Sequence, residues 1–234
     1  MCVNYEPIRL SNIPKLGLHQ PTFEFVPEAW PDYLCPIIIH GEDSEFEWRQ
    51  AKFGLLPNRV KTKQYKASTE NARLETVDTK YSYSQAWAKN QFTLIPSECF
   101  FEPNYESGSP VRWKIEREDH EPFTLAGIWD IWTDSNDSIR SFSMLTLNAD
   151  THPLMKRFHK PGDEKRSPIV IPPEYRKDWL NADHRTAREL LHEIDASQFT
   201  ASPFPVPPRK PKTPTPPKIT KNNSVSKSTN LDLF

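Results

Sequence analysis

The chain is punctuated by short apolar runs, each bounded by polar or turn-forming residues. Pro36-Ile37-Ile38-Ile39, Phe92-Thr93-Leu94-Ile95-Pro96, Phe123-Thr124-Leu125-Ala126-Gly127-Ile128-Trp129, Phe142-Ser143-Met144-Leu145-Thr146-Leu147 and Ile169-Val170-Ile171 are close to continuous. Runs of that length and composition predict strands covered on both faces. Residues 111–115 alternate apolar and polar side chains instead, which predicts a half-exposed strand. Helical patterns are fewer. Residues 81–89 place Ala86 and Trp87 among polar neighbours, and residues 172–180 open with prolines suited to a first helical turn. Residues 184–194 carry Leu190, Leu191 and Ile194 on one helical face. The expected fold class is α+β: a single β-rich domain with peripheral helices.

The pattern stops at Pro203. Residues 203–218 interleave proline with Lys, Arg and Thr, and each proline removes a donor that a helix or ladder needs. Residues 219–234 are rich in Ser, Asn and Lys, with little apolar surface to offset the entropy of ordering. The expected division is a domain at 2–202, with Met1 removed, and a disordered proline-rich basic tail at 203–234. Such a tail suits recruitment of a protein partner through extended proline segments.

A net charge of −1 excludes a protein coated in positive potential, but not a local basic groove. The three cysteines, Cys2, Cys35 and Cys99, form no CxxC pair, and their odd number points to free thiols in a reducing compartment. No signal-peptide pattern opens the chain, and no apolar run is long enough for a membrane span. The expectation is a soluble, intracellular, cytoplasmic (nucleoid-associated) monomer with no cofactor and no metal.

Cys2 carries the chemistry that position alone can supply. Methionine aminopeptidases remove Met before a small side chain, leaving a thiol and a free α-amine on adjacent carbons. The amine, near pKa ~7.7–8, is substantially neutral at physiological pH, and the thiol is near ~8.5. That pair forms a Schiff base with an aldehyde and then closes a five-membered thiazolidine, the second step being intramolecular. Cys2 as an incidental start-site residue or a small buried hydrophobe is the plainer reading of the position by itself.

Four further segments change the balance: Asn71-Ala72-Arg73-Leu74-Glu75-Thr76; Leu94 to Pro103, with Glu102 after an aromatic pair; Thr146-Leu147-Asn148-Ala149; and His159 to Ile171, where Arg166-Ser167-Pro168 precedes a strand. In this order, together with Met1-Cys2, they resemble the SOS response-associated peptidase (SRAP) family, whose members shield abasic sites by a DNA–protein crosslink. The resemblance covers about residues 2–202. It implies Cys2 as the nucleophile, Glu102 as a general acid/base, His159 near the sugar oxygens, and Asn71 orienting the Cys2 amine or the opened sugar. Burial among Phe100, Phe101 and Pro103 would favour a protonated Glu102, as acid catalysis requires.

Arg73, Phe53, Thr146 and Arg166 are the matching DNA-binding candidates. Arg73 as a surface ion pair with Glu70 or Glu75 stands level with a phosphate contact. Residues 156–166, with five Lys or Arg against two acids, suit a phosphate-binding edge. Phe53, Phe101 and Trp113 suit base stacking, although core packing is the commoner fate of such rings. The implied partner is single-stranded DNA containing abasic sites, and the implied activities include autoproteolysis and abasic-site lyase chemistry. The alternatives are a self-processing cysteine peptidase or amidohydrolase, and a non-catalytic binding module.

The chain departs from the family pattern at four places. Met-Cys-Gly-Arg becomes Met1-Cys2-Val3-Asn4, and Trp-Gly becomes Phe53-Gly54. Arg-Met-Pro becomes Arg166-Ser167-Pro168, and Tyr-Glu-Trp becomes Phe101-Glu102-Pro103. None of these touches Cys2, Glu102 or His159.

Overall fold

The computed structural model describes residues 2–42 and 46–205. Among these residues eleven strands form one sheet: β1 (Tyr5–Pro7), β2 (Leu34–His40), β3 (Phe46–Phe53), β4 (Asn71–Arg73), β5 (Phe92–Asn104), β6 (Val111–Arg117), β7 (Phe123–Thr133), β8 (Ser138–Asn148), β9 (Arg166–Pro168), β10 (Val170–Ile171) and β11 (Phe199–Pro203). Short helices lie at α1 (Ser84–Ala88) and α2 (Arg176–Asn181). The α+β, β-rich class expected from the apolar runs is what the chain forms. Among the described residues no helix is long and apolar enough to cross a membrane.

Pairing of β7 with both β8 and β5 closes a ring, β7-β8-β3-β2-β5. Alternate residues of each ring strand therefore enter two different cores. Ile37, Ile39, Ile95, Leu125, Phe142 and Met144 join one cluster; Ile38, Leu94, Ala126, Ile128 and Leu145 join the other, under α1 and α2. This is why those runs are continuous rather than alternating. Ring closure is tight at Gly127, where a Cβ would lie 2.7 Å from the Ser143 carbonyl oxygen and 2.9 Å from Ile95 Cδ1. No larger residue fits there without a shift of backbone.

β5 runs past the ring. Its first half pairs with β2 and β7, and its second half with β1 and β6, so that Glu102 is carried out to where the N-terminal strand lies.

Two expectations need correction. Residues 184–194 are not one helix: a single 3-10 turn spans Ala187–Leu190 and Leu191 is already extended. Leu191 packs into the second cluster but Ile194 into the first, and one helical stripe cannot face both. The ladder also reaches the expected start of the tail. Pro203 pairs with Trp113, and Phe204 N–H donates to the Arg112 carbonyl at 2.8 Å while its ring packs against Phe101. The remainder of the expected tail lies outside the described residues.

Candidate active site

Cys2, Asn71, Glu102 and His159, far apart in sequence, meet beside the second half of β5. Continuing the β1–β5 register from Tyr5↔Phe100 sets Asn4 beside Phe101, and Phe101 N–H donates to the Asn4 carbonyl at 2.9 Å. One step further, the start of the chain is opposite Glu102. Asn71, first residue of β4, is placed by the parallel pairing Asn71↔Met144, and its Nδ2 donates to the Cys2 carbonyl at 2.7 Å. The Tyr83 hydroxyl donates to the Asn71 carbonyl at 3.0 Å and holds that residue from the other side.

His159 reaches the site through its backbone. An isolated bridge pairs Asn104 with Phe158, and His159 N–H donates to the Pro103 carbonyl at 2.9 Å. The imidazole Nε2 then stands 3.1 Å from Glu102 Oε2. His159 holds φ at 65°, a left-handed conformation costing a non-glycine residue roughly 1–2 kcal/mol. Strain of that kind persists where surrounding contacts impose it, and sites of chemistry are where it collects.

All four side chains are buried: Cys2 and Glu102 are 1% exposed, Asn71 and His159 7%. Burial pushes the Cys2 thiol well above its ordinary range, and the Glu102 charge pushes it further the same way. The thiol is therefore neutral at physiological pH, and its S–H points to the Asn4 carbonyl at 3.6 Å. Asn71 Oδ1 and His159 Nδ1 are buried without a hydrogen-bond partner among the described residues. Donor and acceptor capacity thus remains open around Cys2.

Asn4, a departure from the family pattern, is the anchor of the N-terminal strand. Its Oδ1 accepts from Arg112 Nε at 2.9 Å and Nη2 at 2.6 Å, while its Nδ2 donates to Glu28 Oε1 at 2.9 Å and the Ala29 carbonyl at 3.0 Å. Arg112 Nη2 closes the network on Glu28 Oε1 at 2.5 Å, and its guanidinium lies 3.3 Å from the centre of the Phe101 ring. Neither Arg112 nor Glu28 stands out in the sequence. The only signal is the alternation in β6, which puts Arg112 on the polar face and so reads as a solvated side chain.

The DNA-binding candidates separate. Arg73 is exposed and pairs with Glu164, not with Glu70 or Glu75. Arg166 is 2% exposed and both of its Nη groups are engaged: bidentate to Glu75 at 2.9 and 2.8 Å, to Glu164 at 2.8 Å and to the Thr146 carbonyl at 2.7 Å, while Nε is buried without a hydrogen-bond partner among the described residues. Thr146 is buried beneath it. Phe53 is a core ring, edge-on to Tyr5 and stacked on Phe142 with centroids 5.2 Å apart. The three are therefore structural in this geometry, because each is already covered by protein. In the expected basic edge, Lys156 and Lys160 are exposed, Arg157 is held bidentate by Glu106, and Lys165 Nζ donates to the carbonyls of His159 and Lys160.

Among solved structures, a Bordetella bronchiseptica protein is 30% identical, with a TM-score of 0.83 over 88% of this chain and 100% of that one. A Bacteroides thetaiotaomicron protein is 21% identical (TM-score 0.72; 87% and 92% covered), and a phage-related Bordetella bronchiseptica protein 17% identical (0.65; 87% and 94%). The last two share the fold. No curated protein matches. The description SOS response associated peptidase (SRAP) matches residues 13–207, a span that holds Asn71, Glu102 and His159. The chain belongs to the SRAP family, and with it to an SOS-associated, abasic-site-related function in general terms.

Proposed function

We propose that this protein, once Met1 is removed, captures the aldehyde of an abasic site in single-stranded DNA as a thiazolidine on Cys2. The observation that carries the reading is the convergence of the Glu102–His159 pair, 3.1 Å apart, on a residue 2 whose own carbonyl is held by Asn71 at 2.7 Å.

The chemistry follows from the open-chain sugar. The neutral Cys2 amine adds to C1′ to give a carbinolamine, and loss of its hydroxyl as water leaves an iminium. Glu102 and His159 deliver the proton that departs with that water. Sγ then attacks the iminium carbon. Because the thiol is neutral, its proton must leave as the C–S bond forms, and the Glu102 carboxylate is the base at hand. The net change is aldehyde plus aminothiol giving thiazolidine plus water. The open acceptor on Asn71 and the open ring nitrogen of His159 suit hydrogen bonds to the sugar hydroxyls.

The test is mass spectrometry of the protein with abasic single-stranded DNA. The expected product is a heat-stable adduct one water lighter than the sum of its parts, absent in Cys2→Ala and absent when Met1 is retained. Equal adduct in wild type and Cys2→Ala would sink the proposal.

A further inference from the structure

On the part of the molecule where α2 meets β7 and the segment before β11, a cavity of about 550 Å³ is lined by none of Cys2, Asn71, Glu102 or His159. Its apolar wall is Phe123, Ile194 and Phe199, all buried. Among its charged lining residues the buried one is Arg176, first residue of α2, only 9% exposed. Arg176 Nε donates to Thr124 Oγ1 at 3.1 Å, and that hydroxyl donates in turn to the Ile171 carbonyl at 3.0 Å, which fixes the plane of the guanidinium. Beyond Nε, Arg176 makes no hydrogen bond or ion pair among the described residues; both Nη groups are open.

An arginine cannot escape burial by losing its proton, so a desolvated guanidinium without a counter-charge is costly. Burial already pulls the Arg176 pKa down, the Glu174 charge opposes this, and the Arg117 charge pulls it down further. Arg117, on the same cavity wall, spends its own fork on Asp119. What Arg176 lacks is an anion with two acceptor oxygens in one plane, the match for a bidentate guanidinium.

We propose that this cavity is a binding site for a small organic anion: a carboxylate or phosphate head paired with Arg176, on an apolar body lying against Phe123, Ile194 and Phe199. The size lies within the range of small-molecule pockets, ~300–1,000 Å³. Polyanionic DNA is disfavoured as the occupant, because Glu121, Glu174, Glu193 and Asp195 also line the cavity. The site is independent of the Cys2 chemistry.

The test uses the full chain and three probes: 3-phenylpropionate, phenyl phosphate and inorganic phosphate, with 3-phenylpropanamide as the uncharged twin. Thermal unfolding should show a saturable rise of roughly 3–5 °C at ten times Kd for the aromatic anions, and none for the amide. Whichever aromatic anion saturates at lower concentration identifies the head group, and inorganic phosphate alone should bind more weakly. Arg176→Gln should abolish the shift while Glu102→Gln keeps it. Should Arg176→Gln not fold, protection of Arg176 from phenylglyoxal in the wild type, read by peptide mass, replaces it. An amide that stabilises equally, a shift that survives in Arg176→Gln, or unprotected Arg176 at saturating anion would each overturn the site.

Discussion

His159 Nε2 stands 3.1 Å from Glu102 Oε2, and the backbone joins them too, since His159 N–H donates to the carbonyl of the residue after Glu102. The histidine's main chain is thus tied to the strand that carries the carboxylate. Removing either proton carrier should leave the fold intact and slow the chemistry. Glu102→Gln and His159→Ala are expected to reduce the crosslinking rate about 10²-fold or more, the usual span for general acid–base groups. Single-turnover gel assays against abasic DNA measure this; rates within threefold of wild type would remove both from the mechanism.

The same carboxylate acts on Cys2. Its charge disfavours the thiolate, so Glu102→Gln should lower the thiol pKa, and alkylation of Cys2 by iodoacetamide at pH 8 should become severalfold faster. Crosslinking should move the other way, being slower in this variant. Crosslinking by wild type should also fall as pH drops below the amine pKa of ~7.7–8, because the protonated amine is no nucleophile. A rate that rises steadily into acid would exclude the amine.

Arg112 positions Cys2 through Asn4. Arg112→Met keeps the stem over Phe101 but strips both donors from the buried Asn4 Oδ1, at a cost of about 1–3 kcal/mol for an unsatisfied acceptor. Crosslinking should drop at least tenfold, with partial recovery in Arg112→Lys, which restores one donor. Unaltered crosslinking in a destabilised Arg112→Met would show the network to be structural only.

Arg166 and Arg73 make opposite predictions for DNA. Arg73→Ala should reduce the salt dependence of single-stranded DNA binding by about 0.7 for each phosphate that Arg73 neutralises, whereas Arg166→Met should leave that slope unchanged and cost stability. Burial tends to raise Glu75 and Glu164, but hydrogen bonds from Arg166 and Asn148, together with the Arg166 charge, bring both below their ordinary value. A lowered folded-state pKa adds stability above the unfolded value of ~4.3 that disappears as pH falls through the folded one. The stability gap between wild type and Arg166→Met should therefore narrow below pH ~4, read by urea titration at several pH values. A gap independent of pH would mean that Arg166 acts by packing.

The chain's own pattern located four of the five ring strands, β2, β5, β7 and β8, because burial on two faces leaves a continuous apolar run that needs no partner to be seen. β3 left no such run, since residues 46–50 are only half-buried and mixed in polarity. The sequence was also enough to single out Cys2, Asn71, Glu102 and His159, since their chemistry belongs to the residue types and their order to the family motif. Tertiary structure alone decided which polar groups were already spent. His152 and His159 are alike in sequence and both buried. Yet His152 binds the Ile194 carbonyl and accepts from Leu154 and Met155 N–H, while His159 faces Glu102. Arg166, Thr146 and Phe53 look available in a motif and are enclosed in the fold, and Arg112 looks solvated but anchors the start of the chain. Periodicity reports which face a side chain takes; its partners come from strands distant in sequence, and pairing at that range leaves no local trace.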